Sequence, residues 1–83
     1  MNQQLIFNGD YGFDASLDAV TCSVLLAGLR LSIRIRRPDG WPADAWLAQV
    51  RDDAFFWEDE IENAIRMEHL DADGTLWLDG AAC

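Results

Sequence analysis

The chain contains no lysine, one histidine, two cysteines and two prolines among its 83 residues. Each scarcity excludes something. With six basic residues, all arginine, against fifteen acids, the net charge is −9, a field that repels nucleic acid and acidic membranes and draws basic partners inward. Two cysteines, Cys22 and Cys83, cannot make the disulfide framework of a small secreted domain. The lone His69 has no cysteine or histidine at metal-ligand spacing, so no metal is expected. The longest uncharged central run, "AVTCSVLLAGL", falls short of the roughly 20 apolar residues that span a bilayer. No basic segment precedes an apolar one at the start, so no signal peptide is expected and a cytoplasmic location is. No glycine-rich phosphate loop is visible, and no cofactor is implied.

What the chain does have is apolar residues, at 51%, and nine aromatics, a globular composition. Its length allows one compact domain, residues 1–83. So small a domain buries only about 60% of its unfolded surface, so a homodimer that buries more is left open. The charge is unevenly spread. Asp10, Asp14, Asp18 and Asp39 balance Arg30, Arg34, Arg36 and Arg37 in residues 1–40. Residues 41–83 hold eleven acids against Arg51 and Arg66, so the whole −9 lies there.

The clearest local pattern is "AVTCSVLLAGLRLSIRI", residues 19–35. Folded back at Ala27-Gly28, it places Leu26, Val24, Cys22 and Val20 opposite Leu29, Leu31, Ile33 and Ile35. The other side then carries Thr21, Ser23, Arg30, Ser32, Arg34 and Arg36. A slip of one residue would spoil both faces. Ahead of this hairpin "QQLIFN" reads as a short strand and "GDYGFDASLD" as a loop with aromatic anchors Tyr11 and Phe13. After it, Pro42 suits the first turn of a helix in which Trp46, Leu47 and Val50 form a stripe. A second helix carries Trp57, Ile61, Ala64 and Ile65 on one stripe. Glu58, Asp59, Glu60 and Glu62 suit its positive end and His69 its other end. "DADG" stops the helix and "TLWL" reads as a last strand. The expected class is α+β: an antiparallel sheet of about four strands, in the order β-β-β-α-α-β, with two helices on one face.

Candidate chemistry is sparse. Glu58 and Glu62 lie one turn apart, but paired carboxylates become acid and base only where a cleft separates their pKa values. "HLDADGTLWLDG" places Asp71, Asp73 and Gly74 at the third, fifth and sixth positions of a calcium loop. His69 and Gly80 stand where an oxygen ligand and a bidentate Glu are required, so a turn is the better reading. Cys22 reads as a packed thiol and Cys83 as a frayed free one. The row Arg30, Arg34 and Arg36, with Arg37 adjacent, forms a second, basic face. Without lysines or exposed aromatics it is a thin nucleic-acid footprint, and such a row more often balances acids within the domain or across an oligomer interface. Phe55, Phe56 and Trp57 cannot all enter one core from a regular helix. Either the helix begins after the two phenylalanines and they fill the junction between helices, the reading preferred here, or one is exposed as a partner anchor.

The strand "IF", the pair Phe13-Asp14, the hairpin, "WLAQVRDD", "WEDEIENAI" and "DGTLWL" together resemble a small bacterial family of uncharacterised proteins, domain of unknown function 1488. Some of its members carry the label of transcriptional regulator. The resemblance runs over most of the chain and implies an α+β fold; it implies no catalytic residues. The chain departs from the family in a shorter segment, "RRPDGWPADA", before "WL", and in Phe56 where the family tends to place an acid that would cap the second helix.

These readings converge on a small acidic protein-interaction or regulatory module without catalysis of its own. Its expected partner is another protein with a basic surface, met by Glu58, Asp59 and Glu62 with Phe55 or Phe56 as anchor. The alternative is an acidic mimic of nucleic acid, of the kind phages use against DNA- or RNA-binding defence complexes. Direct nucleic-acid binding through the arginine row ranks behind both, and no membrane partner is expected.

Overall fold

The computed structural model describes residues 5–80. Four strands come first: β1 (Leu5–Phe7), β2 (Gly12–Asp14), β3 (Ala19–Leu26) and β4 (Leu29–Arg36). Two helices, α1 (Ala43–Asp52) and α2 (Ala54–Arg66), lead to the last strand, β5 (Thr75–Asp79). The α+β class is as expected.

The β3–β4 hairpin has the register set by its two-residue alternation, with Leu26 opposite Leu29, Val24 opposite Leu31, Cys22 opposite Ile33 and Val20 opposite Ile35. Its turn places Ala27 at φ 51° and Gly28 at φ 85°, the two positive angles of the tight turn that matches strand twist. Ala27 adopts the left-handed region against its side-chain preference, and Gly28 does so at no steric cost.

Two features differ from expectation. The segment "GDYGFDASLD" is not all loop: Gly12–Asp14 forms a strand against Thr21, Val20 and Ala19, while β1 pairs with Leu26, Leu25 and Val24. Between these pairings Ser23 would face an empty edge. The Asp10 carboxylate fills it, accepting from Ser23 N–H at 2.8 Å and from its Oγ at 2.6 Å, while Asn8 N–H donates to the Ser23 carbonyl at 3.3 Å. Ser23 is 95% buried and fully satisfied in this way.

The second difference is the direction of β5. It runs parallel to β4, with Ser32 beside Thr75, Arg34 beside Trp77 and Arg36 beside Asp79. The sheet is therefore mixed, with five strands rather than about four. The physical reason lies in the connection. α1 and α2 follow each other with only Asp53 between them and carry the chain back to the starting end of β4, where the Gly74 carbonyl accepts from Ser32 N–H at 2.9 Å. A helical crossover of this kind joins parallel strands.

The core lies between the sheet and the helices. Val20, Val24, Ile33, Ile35 and Leu76 meet Trp46, Val50, Trp57 and Ile61, each no more than 1% exposed. The Trp46 and Trp57 rings meet edge to face at 6.1 Å, and Trp46 Nε1 donates to the Ile35 carbonyl at 3.4 Å. Burying each such side chain contributes about 1.5–3 kcal/mol, so the expected stripes are the cohesive element of the fold. Gly80 closes the sheet because a Cβ there would collide with the Arg36 carbonyl and the Trp46 ring.

Candidate functional site

Helical periodicity places Phe55, Asp59, Glu62 and Arg66 on one side of α2, opposite the buried Trp57, Ile61 and Ala64. The helix begins at Ala54, before the phenylalanines, so they do not fill a junction; a single residue separates the two helices. Asp53 stands at the N-cap position, and its side chain accepts from Gln49 Nε2 at 2.6 Å instead of capping. The family's acid at position 56 is thus not needed to start this helix. Phe55 is 85% exposed. Phe56, 38% exposed, leans edge-on against Trp57 with centroids 5.0 Å apart.

The expected acid cluster divides. Asp59 and Glu62 are exposed and flank Phe55 on the outer face. Glu58 is half-buried on the sheet side of α2, where its charge reaches Tyr11 and Cys22. Burial, then the charges of Cys22, Glu58 and Asp10, pushes the Tyr11 hydroxyl up to about 12. Burial, then Asp10 and Glu58, likewise raises the Cys22 thiol to about 12, so it remains protonated and a poor nucleophile at neutral pH. The first turn of α2 holds no acid, so the acids do not serve the positive end of the helix dipole. At the other end His69 N–H donates to the Ala64 carbonyl and Glu68 N–H to the Ile65 carbonyl, both at 3.0 Å. These two bonds are the Schellman closure, with Glu68 at φ 61° in the place usually held by glycine. The helix therefore ends before "DADG".

The face of the sheet away from the helices carries Arg30, Arg34 and Arg36 as expected, but it is not basic. Arg30 Nη2 lies 3.7 Å from Asp10 Oδ2. Asp14 lies near enough to Arg34 for that charge to favour its ionised form, and Asp79 stands in register beside Arg36. Trp77 sits among them, its ring 5.4 Å from the Arg34 guanidinium carbon and 4.6 Å from that of Arg36. Alternation along β5, with Leu76 in the core, puts this half-buried aromatic on the open face, and the register seats it beside Arg34. Arg37 leaves the row altogether. It grips Asp18 with bonds of 2.7 and 3.1 Å and donates to the Trp41 carbonyl at 2.8 Å.

A cleft of about 240 Å³ crosses this face over β3. Burial raises the Asp10 carboxyl there, but bonds from Ser23 Oγ and N–H and the charge of Arg30 outweigh it and leave the group below its ordinary 3.8. The Ser16 hydroxyl bond, joined by N–H groups of Leu17 and Ser16, holds Asp14 low as well. The side-chain Nε of Arg34 is buried without an acceptor among the described residues.

The "DADG" segment is a turn. Gly74 N–H donates to the Asp71 carbonyl at 3.0 Å, and Thr75 N–H donates to Asp73 Oδ1 at 3.1 Å. Among the described residues, no group of three or more His, Cys, Asp or Glu side chains comes together to hold a metal. No helix there is long and apolar enough to cross a membrane. Cys83 lies outside the described residues.

No family model and no curated protein matches the chain by sequence. Among solved structures, a protein of unknown function from the DUF1488 family of Shewanella loihica PV-4 shares the architecture, with a TM-score of 0.80. The match covers 94% of both chains at 21% identity. The fold is DUF1488-like. At that identity the likeness carries the architecture alone, including the strands and helices that position the α2 face and the open sheet face.

Proposed function

We propose that the chain is a protein-interaction module, regulatory rather than catalytic, whose docking element is the outer face of α2. The observation that carries the reading is Phe55, 85% exposed in a domain small enough to need every apolar group it can bury. A phenylalanine left in water forgoes about 1.5–3 kcal/mol of burial, a loss that a partner pocket would recover. Asp59 and Glu62 beside it favour a partner with a basic rim, and screened charge at a rim governs encounter and selectivity more than affinity. Glu58 and Phe56 stand on opposite flanks of the contact. The first is half-buried and the second packs on Trp57, so both contribute less than Phe55.

Mimicry of nucleic acid is the rival reading of the same acids. A row of carboxylates standing for phosphates has no use for an aromatic at its centre, so Phe55 favours the adaptor reading. Capture of partners from a native lysate, with the wild type beside Phe55→Ala and Asp59→Lys/Glu62→Lys, tests both. The adaptor reading expects a specific partner lost in Phe55→Ala, with the variant still folded. A basic nucleic-acid-handling complex displaced by DNA, lost only in the double reversal, would support mimicry instead. Self-capture alone would redirect the surface to a homodimer.

A further inference from the structure

The cleft on the open sheet face is independent of α2 and lies where sequence patterning shows only a row of arginines. One wall carries Asp10 and Asp14 and the other Arg30, Ser32 and Arg34, with the hydroxyls of Thr21 and Ser23 on the β3 floor between them. Two carboxylates therefore face two guanidinium groups across a hydroxyl-lined floor. A plain anion entering it would be repelled by the aspartates, and a plain cation by the arginines. A ligand carrying both charges on adjacent atoms meets a partner on each side.

We propose that this cleft is a binding site for a small zwitterion, a free α-amino acid, whose carboxylate meets the arginine wall and whose ammonium meets the aspartate wall. The aspartates are preorganised for this. Asp10 is pinned by the Ser23 N–H and hydroxyl, and Asp14 by the Ser16 hydroxyl at 2.6 Å, so neither loses freedom when a ligand arrives. The arginine wall supplies the complement, with the exposed Arg30 side chain and Arg34 both lining the cleft. The ion pair that spans the walls, Arg30 to Asp10 at 3.7 Å, is longer than a hydrogen bond and opens at little cost. The size agrees too: 240 Å³ lies just below the roughly 300 Å³ at which drug-sized pockets begin.

The test is a titration of the isotope-labelled protein with the common free amino acids, one at a time, following backbone amide shifts. Acetate and methylammonium serve as single-charge controls. The expected result is saturable shifts at Thr21, Ser23 and Ser32 with at least one amino acid and none with either control. Arg30→Gln, whose side chain is 72% exposed and which therefore leaves the fold intact, should weaken that binding roughly tenfold. Absence of saturable shifts with every amino acid, equal shifts with acetate, or unchanged affinity in Arg30→Gln would each overturn the assignment.

Discussion

The open sheet face and the outer face of α2 handle charge in opposite ways. On the sheet, Arg30 meets Asp10, Arg34 and Arg36 lie over Trp77, and the carboxylates are held by Ser23 and Ser16. On the helix, Asp59 and Glu62 are exposed around an exposed Phe55, with no ion pair to either acid among the described residues. The arginines of the first half thus lie against neighbours on their own sheet face, while Asp59 and Glu62 are left facing outward. On the proposed reading, the outward charge beside a bare aromatic serves a contact with another molecule.

If that contrast holds, substitutions of Asp10 and Trp77 on the sheet face should cost stability and those on the helix face should not. The largest effect expected is from Asp10→Ala, which strips the bonds from the buried Ser23 N–H and hydroxyl. Urea unfolding should show a loss of about 1–3 kcal/mol, and an unchanged midpoint would break the comparison. The same contact gives a pH signature. The Asp10 pKa is depressed in the folded state, so its contribution is present above the ordinary value of 3.8 and is lost as pH falls below it through the folded pKa. Asp10→Asn should therefore flatten the acid limb of the thermal-midpoint profile relative to the wild type.

Next in size is Trp77→Leu, which removes the ring beneath two guanidinium groups. A cation–π contact at a partly exposed site contributes about 0.5–1 kcal/mol, and thermal melts should register a loss of that order. Ala27→Asn relieves an alanine held at φ 51° and supplies the residue that this turn prefers, so it should stabilise by roughly 0.5–1 kcal/mol in the same melts. The smallest effect belongs to the helix face. Asp59→Lys/Glu62→Lys should change stability by less than about 0.5 kcal/mol, and a larger loss would mean that these acids serve the fold after all.

Much of this was legible in the chain itself, wherever a pattern repeats at the period of its own element. The hairpin register followed from alternation in both strands at once, and the buried stripes Trp46 with Val50 and Trp57 with Ile61 followed from helical spacing. What escaped depends on residues far apart in sequence. Three residues containing a glycine carry no strand signal, and β2 is placed by Asp10 reaching Ser23, thirteen positions away. The direction of β5 depends on where two helices deliver the chain, and its register seats Trp77 beside Arg34. The candidate site was legible as residues but not as geometry. The acids and Phe55 were identified as candidates, but the start of α2 at Ala54 turned Phe55 outward and Glu58 inward, because Asp53 breaks the helix without a recognisable cap.

The central claim is that the outer face of α2 is built for contact and not for folding. Its most direct test is a paired measurement on Phe55→Ala: thermal stability and quantitative capture of the wild-type partner. The account predicts a midpoint indistinguishable from the wild type and capture reduced more than tenfold. A folded variant that retains full capture would contradict it.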